Sequence, residues 1–568
     1  MSTAPKPARD PGSKHILARG FPASLGSPER MRWWGWGDRL HSPSLPAHAL
    51  GFLRETVGLA ARPSPPVALE HVELEPSSIS SSVLASLREI LGEGHVRDDH
   101  SDRVLHAAGK GYPDLVRLRA GRPLGAPDAI LYPSTREQLR ALLGLCARES
   151  LAVVPFGGGT SVVGGVEPLQ GSHRGVVALD TGCLRSVLEL DECSRMVRVQ
   201  AGSRARELED WLSARGLTLG HFPQSFEYVS LGGCAATRSA GQASSGYGRF
   251  ERMVYGLRMV APAGDVELSA FPASAAGPGV RELAVGSEGT LGVIDELTLR
   301  VRRAPATRIY EGVFFESFEA GVHAFRELAQ NHCTPEVARL SDEQETRMSL
   351  ALAGSGGAKG RLGRAYLDMR GYSGGCLAIL GFEGDAEELG ARRAAATEIV
   401  RAAGGLRVGR SPGSAWLESR YSAPYLRDEL LTQGVLVETL ETATRWSNVE
   451  QLHRRVAGAI ESALRAQGTP ALVMCHVSHL YETGASLYFT FIARQREGDE
   501  IEQWQAAKAA ANAAIVEGGG TITHHHAVGR DHAPWMEQEI GSAGVSALRA
   551  LKSELDPAGI MNPGKLLP

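Results

Sequence analysis

Cysteine is scarce in this chain: seven in 568 residues, with no CxxC pair and no regular spacing. That excludes a disulfide framework or thiolate zinc site and leaves reduced, mostly buried thiols. No apolar run reaches 18 residues, so no segment reads as a membrane-spanning helix. Neither sign of charge dominates. Sixty Lys and Arg against 64 Asp and Glu give a net charge of −4, with no general pull toward nucleic acid or anionic membrane. A signal-peptide pattern is lacking at the start, and the final Leu-Leu-Pro is not a Ser-Lys-Leu peroxisomal signal. The expected compartment is the cytoplasm, and the Ala-, Arg- and Gly-rich composition fits a bacterial source. Hydrophobic residues at 43% suffice for two or three cored domains.

What is present is organised around Pro155-Phe156-Gly157-Gly158-Gly159-Thr160-Ser161-Val162-Val163-Gly164-Gly165. An apolar strand feeds three glycines, whose backbone amides can converge on an anion because no Cβ intervenes. Thr160 and Ser161 add hydroxyl donors. The run lacks the Gly-Lys-Ser/Thr of a P-loop, and it does not open a helix as the dinucleotide fingerprint does. A phosphate cradle is one reading, and a merely tight loop is the other.

Composition divides the chain further. Residues 1–30 read as a disordered tail. An N-terminal helical extension follows at 31–94, with helices expected over 46–60 and 79–93. It opens on Met31-Arg-Trp-Trp-Gly-Trp-Gly-Asp38, an arm docked on the main body or a binding element. Over 95–305 a strand at 127–133, a capped amphipathic helix at 134–150 and a strand at 151–155 form a β-α-β unit that delivers the cradle. Further strands are expected at 175–180, 195–201 and 297–301, and a helix at 204–215. Residues 306–524 alternate strands (308–315, 377–383) with helices (386–403, 448–467, 501–518). Residues 525–568 return to the first domain.

Four ordered motifs, PFGGGTS at 155–161, LGG…TRSAG…YG at 231–248, GSEGTLGVI at 286–294 and LDPAGIMNPGK at 555–565, resemble the vanillyl-alcohol oxidase-type flavoprotein family. The resemblance implies an α+β, PCMH-like FAD-binding domain of two subdomains, with an inserted α/β cap domain and a helical N-terminal extension. It implies FAD with its pyrophosphate on Pro155, Phe156, Gly157, Gly158, Gly159, Thr160 and Ser161. Further contacts would come from Gln224, Ser225, Ser230, Thr237, Arg238, Ser239 and Ala240, and from Glu288, Gly289, Thr290, Leu291, Gly292, Val293 and Ile294. No histidine interrupts the cradle, so the FAD is expected to be non-covalent.

Thr523-His524-His525-His526-Ala527 is the rarest local string. Adjacent histidines splay apart, which disfavours one shared metal ion. Packing, or acid–base and relay work near neutral pH, are the remaining readings. The 2-hydroxyacid dehydrogenases of the wider family carry Gly-Glu-His here and a metal-binding His…Gly-Asp-Gly-Asn-Leu-His upstream. In this chain Cys475–Tyr488 lacks the Asp-Gly-Asn and has Tyr488 for the second histidine, so no metal is expected.

The strings at 31–37, 220–227 (GHFPQSFE), 335–342 (PEVARLSD), 382–385 (FEGD), 425–428 (YLRD) and 487–491 (LYFTF), with the triple histidine, resemble the alkyldihydroxyacetonephosphate synthases nearly end to end. These flavoenzymes of ether-lipid synthesis exchange the acyl group of acyl-dihydroxyacetone phosphate for a fatty alcohol, without net oxidation. The resemblance makes Tyr488 the proton-transferring residue, with His524, His525 and His526 as its candidate partners. It makes Arg427 the substrate-binding arginine and gives Arg339 and His221 supporting roles. A bidentate guanidinium suits a phosphate monoester, although a lone helical arginine is otherwise a surface ion pair. Gln224 stands where eukaryotic relatives carry Asp. A hydroxyacid or alcohol dehydrogenase or oxidase, and a non-catalytic flavin module, are the alternatives. Two alkyl substrates imply an apolar tunnel at the cap and peripheral membrane contact, with 351–364 as a gate or a plain soluble loop. A homodimer is the family-based expectation.

Overall fold

The computed structural model describes residues 19–20, 31–37, 45–352 and 358–568. Most of the segment expected as a tail, and residues 353–357 of the segment expected as a gate, lie outside the described residues. Arg19–Gly20 departs from the expected tail: it pairs antiparallel with Ser186–Asp191.

The β-α-β unit forms as its pattern dictates. Thr135 Oγ1 accepts the Gln138 amide at 3.2 Å and caps the helix Arg136–Glu149, which ends at Ser150 in a left-handed conformation. Leu139, Leu142, Leu143 and Cys146 are buried along one face. Leu151–Phe156 then runs parallel to Gly175–Asp180, the centre of a four-stranded sheet that also holds Ala129–Leu131 and Val96–Arg97. These strands are almost wholly buried, as parallel strands covered on both faces must be. The far end of the chain returns here: Val153 donates to Ile560 O at 2.8 Å, and Asn562 N donates to Val153 O at 2.8 Å.

A six-stranded antiparallel sheet stands beside it, in the order Arg19–Gly20, Ser186–Asp191, Met196–Gln200, Val293–Arg300, Val254–Ala261, Gly264–Leu268. Its core holds Val197, Val199, Leu257, Leu297 and Leu299, with the helix Ala205–Ser213 packed on it through Leu208 and Leu212. Expected strands at 195–201 and 297–301 appear here within a few residues of their predicted ends.

The third sheet is the largest. Seven strands, all paired antiparallel, run in the order Leu406–Gly409, Thr307–Phe315, Cys376–Gly384, Val337–Ser341, Leu472–Leu480, Gly484–Arg494, Val435–Arg445. The helices Phe318–Gln330, Ala386–Ala402, Val449–Ala466 and Glu500–Glu517 cover it. Apolar residues on one face of Gly484–Arg494 (Leu487, Phe489, Phe491) are fully buried in their core.

At the N-terminus, helices form at Ala47–Thr56 and Ser81–Leu91. The tryptophan arm docks on the helix Ala423–Thr432. Trp36 N donates to both Asp428 carboxylate oxygens (3.0 and 3.2 Å), and Trp34 lies between the Arg32 and Arg119 guanidiniums.

Candidate active site

One cavity of about 530 Å³ connects the glycine run, the hairpin Leu472–Leu480/Gly484–Arg494 and the N-terminal helix. The glycines are required by close packing. A Cβ on Gly158 would sit 2.2 Å from the Tyr228 carbonyl oxygen, and one on Gly157 would sit 2.1 Å from Ser230 Oγ. Gly159 adopts φ +64°, a left-handed conformation favourable to glycine. Among the described residues no protein acceptor takes the amides of residues 157–161, so they face the cavity as a row of free donors. Gln224, Ser225, Ser230, Thr237, Ser239, Ala240, Glu288, Gly289, Gly292, Val293 and Ile294 line the same space, together with Pro155, Phe156, Thr160 and Ser161.

Three residues expected in this wall stand outside it. Arg238 turns away, donating to Val285 O at 3.0 Å and Glu282 O at 2.6 Å, because its own φ of +49° redirects the side chain. Thr290 bonds back to Ser287 O, and Leu291 packs into the six-stranded sheet's core.

Tyr488 occupies the middle of the cavity. The strand Gly484–Arg494 alternates as its sequence predicts: Tyr488, Thr490 and Ile492 line the cavity while Leu487, Phe489 and Phe491 face the core. Cross-strand register puts His476 on one side of Tyr488 and Glu441 on the other. The His476 ring stacks on the phenol at 4.9 Å, His525 stacks at 5.8 Å, and His526 meets it edge-on at 5.4 Å. Burial pushes the Tyr488 hydroxyl up to about 12, against the lowering by Thr439 and Arg427. It is therefore a neutral phenol at pH 7. Imidazoles surround it in the same dry setting: burial lowers His525 to about 3 and His526 to about 4, and it lowers His476 with help from Arg339. Arg427 lowers the phenol without bringing it to neutrality, and the histidines expected as its partners do not stand beside it as cations. They are uncharged proton acceptors instead.

The three adjacent histidines do splay. His525 and His526 line the cavity, whereas His524 turns away, its Nε2 bonded to Tyr481 Oη at 2.5 Å and its Nδ1 to His525 Nδ1 at 2.8 Å. His479 joins them from the hairpin, its Nε2 donating to Gly241 O at 3.0 Å and its Nδ1 3.1 Å from Ser486 Oγ. One ring nitrogen each of His479, His524 and His525 lies within 4.8 Å of the others. His524 and His525 are hydrogen-bonded to each other, and His479 meets both rings by contact alone, at 4.9 and 5.4 Å between centroids.

Glu441, unmarked in the sequence reading, anchors this loop. Its buried carboxylate accepts Thr523 Oγ1 (2.7 Å) and the successive amides of His524, His525 (3.0 Å) and His526 (2.7 Å). Glu288 takes the next pair, Val528 N at 2.8 Å and Gly529 N at 2.7 Å.

Both expected substrate arginines line the cavity. Arg427 donates to Lys110 O at 2.9 Å and to Glu438 at 3.2 Å; it is a buried pair rather than a surface one. Arg339 bridges His476 Nε2 (3.0 Å) and Glu345 (2.8 Å). His221 lies behind the wall, beside Phe250 and Gly241, with neither ring nitrogen partnered. Burial lowers it to about 3. Beyond Tyr488 the cavity turns apolar, walled by Leu45, Leu53, Met348, Leu352, Leu426, Leu430 and Met474.

Known proteins are similar to this chain in sequence and in fold. Residues 127–269 match the family described as FAD binding domain, and 304–566 match the C-terminal domain of FAD linked oxidases. Alkyldihydroxyacetonephosphate synthase of Dictyostelium discoideum is 32% identical over 95% of this chain and 94% of its own length. The chain belongs to the alkyldihydroxyacetonephosphate synthase family. A crystal structure of an alkyldihydroxyacetonephosphate synthase superposes with a TM-score of 0.83 at 29% identity, covering 94% of this chain and 99% of that one. p-Cresol methylhydroxylase, at 15% identity and TM-score 0.63 over 87% of this chain, shares the fold. The protein is thus an FAD-binding member of the alkyldihydroxyacetonephosphate synthase family, and its free amide row and Cβ-intolerant glycines fit the pyrophosphate of that cofactor.

Proposed function

We propose that this protein exchanges the acyl group of acyl-dihydroxyacetone phosphate for a long-chain alcohol, with non-covalent FAD and no net redox change. The observation that carries this reading is a single cavity joining the cradle, a neutral Tyr488 ringed by uncharged imidazoles, the buried Arg427 and half-buried Arg339, and an apolar end. FAD, held by the residues of the 155–161 cradle and by Gln224, Ser230 and Thr237, would supply an electron sink for the reaction. Arg427 and Arg339 hold the phosphate through N–H groups not engaged by Glu438 and Glu345. The Tyr488 oxygen takes the C1 proton as its own proton passes to a neighbouring imidazole. The C1–O bond to the acyl group breaks, the fatty carboxylate leaves, and the alcohol oxygen bonds to C1 with loss of its proton. His221 and His524 act as packing partners of the residues that touch substrate.

In this reading the FAD-binding unit comprises 95–305 with 525–568, and 306–524 is the cap. Peripheral lipid contact is supported by the helix Ala358–Met369, which exposes Leu362, Tyr366 and Met369 on successive turns. No helix among the described residues is long and apolar enough to cross a membrane. Incubation with acyl-dihydroxyacetone phosphate and labelled hexadecanol should yield a labelled ether and one free fatty acid per turnover. Anaerobic bleaching of the flavin by a hydroxy acid or alcohol, without ether formation, would instead establish a dehydrogenase.

A further inference from the structure

Glu441 is a buried carboxylate, at 2% exposure, set beside Tyr488 and behind the cavity wall that His525 and His526 line. It stands directly opposite Tyr488 in the ladder between Val435–Arg445 and Gly484–Arg494. Its carboxylate receives three consecutive amides of the histidine loop and a threonine hydroxyl. Beyond those bonds, its oxygens lie 3.6 Å from His525 Nδ1 and 3.8 Å from His526 Nδ1. His526 Nδ1 is buried and makes no hydrogen bond.

We propose that Glu441 is the positioning residue of the proton relay: it orients the His525 and His526 imidazoles toward Tyr488 and stabilises the imidazolium formed when one of them takes a proton. The logic is that of a buried carboxylate behind a general-base histidine. The proton that reaches the imidazole is the one released by Tyr488 as its oxygen takes the proton from C1. It returns to C1 by the same route before the ether is released, and only the alcohol proton leaves, with the fatty carboxylate, so the balance closes. Other charged or titratable groups face these rings: Arg249, His476, His526 and, by ring contact, His479 toward His525, and Lys508, His532 and Arg427 toward His526. Of all these, only Glu441 favours the protonated ring.

The inference rests on the proposed reaction, so its test includes a readout independent of turnover. Flavin-matched Glu441→Gln and Glu441→Asp holoenzymes would be compared with the parent by C1 proton exchange, steady-state kinetics across pH, and NMR titration of the histidine rings. Glu441→Gln should lower kcat and exchange about 10²–10⁴-fold with KM within about twofold. Its acid limb and its imidazole titrations should both move to lower pH. Glu441→Asp keeps the charge but retracts it, and should lose only about tenfold in rate with titrations near the parent's. Equal losses in the two variants, or imidazole titrations unmoved in Glu441→Gln, would overturn the proposal. Should Glu441→Gln fail to fold, a Glu441→Asp enzyme with the parent's full rate would overturn it equally. A parent without exchange or ether product defeats the proposed reaction, while the NMR titration still decides whether Glu441 governs the rings.

Discussion

The glycine run at 157–161 and the histidine run at 524–526 use one device in opposite directions. Each aligns successive backbone amides on an anion. In the glycine run the residues line the cavity and their amides have no acceptor among the described residues, so the run is open to an anion from outside. In the histidine run the anion is Glu441, already in place, and with the backbone turned inward the His525 and His526 side chains turn out toward the cavity. What decides between holding a ligand and displaying side chains is whether the protein carries its own counter-charge.

The largest effect should come from breaking the first half of that comparison. Gly158→Val places a branched side chain against the Tyr228 carbonyl, which is backbone and cannot yield. The purified variant should retain less than about a tenth of the parent's flavin absorbance, with other elements intact by circular dichroism. Breaking the second half spares the cofactor. Tyr488→Phe keeps the stacked ring between His476 and His525 and removes only the hydroxyl. Flavin content should be unchanged and C1 proton exchange should fall by about 10²–10⁴-fold; exchange near the parent's rate would remove Tyr488 from proton transfer.

A smaller effect sharpens the comparison where the two runs meet. Glu288 lines the cavity beside the cradle while holding the amides of Val528 and Gly529. Burial raises it to about 7, against the lowering by those amides and Lys565. A carboxyl whose folded pKa lies above its unfolded value contributes stability that is full below about 4.5 and is lost as pH rises through about 7. Glu288→Gln does not ionise, so its melting temperature relative to the parent should climb by about 3 °C between pH 5 and pH 8. A constant offset across that range would mean Glu288 does not titrate in the folded protein.

The cradle was legible because its signals are local: an apolar strand, three glycines and two hydroxyl residues in one stretch. The alternation around Tyr488 was legible for the same reason. Motif matching placed Arg238, Thr290 and Leu291 in the wall because it transfers a string whole, whereas φ and strand facing send each side chain its own way. Glu441 was illegible for a different reason. It lies in the strand Val435–Arg445 with Glu438, and two glutamates in a strand read as solvent-facing until their buried partners are known. Those partners, the loop amides and the Arg427 guanidinium, are supplied from 85 residues downstream and from a neighbouring helix. His479 carried no signal of its own in the sequence, and the fold of the hairpin gave it a place beside His524 and His525.

The tryptophan arm carries a consequence for how the molecule assembles. Trp36 reaches Asp428 across 392 residues, and Asp428 is the chain neighbour of Arg427. Closing so long a loop is entropically slow, and the rate of folding falls as such contacts accumulate. The arm thus has no docking partner until the helix Ala423–Thr432 has been made, 392 residues separating Trp36 from Asp428. Until that contact closes, Asp428 lacks the bonds from the Trp36 amide, and the helix that carries Arg427 lacks its outer clasp.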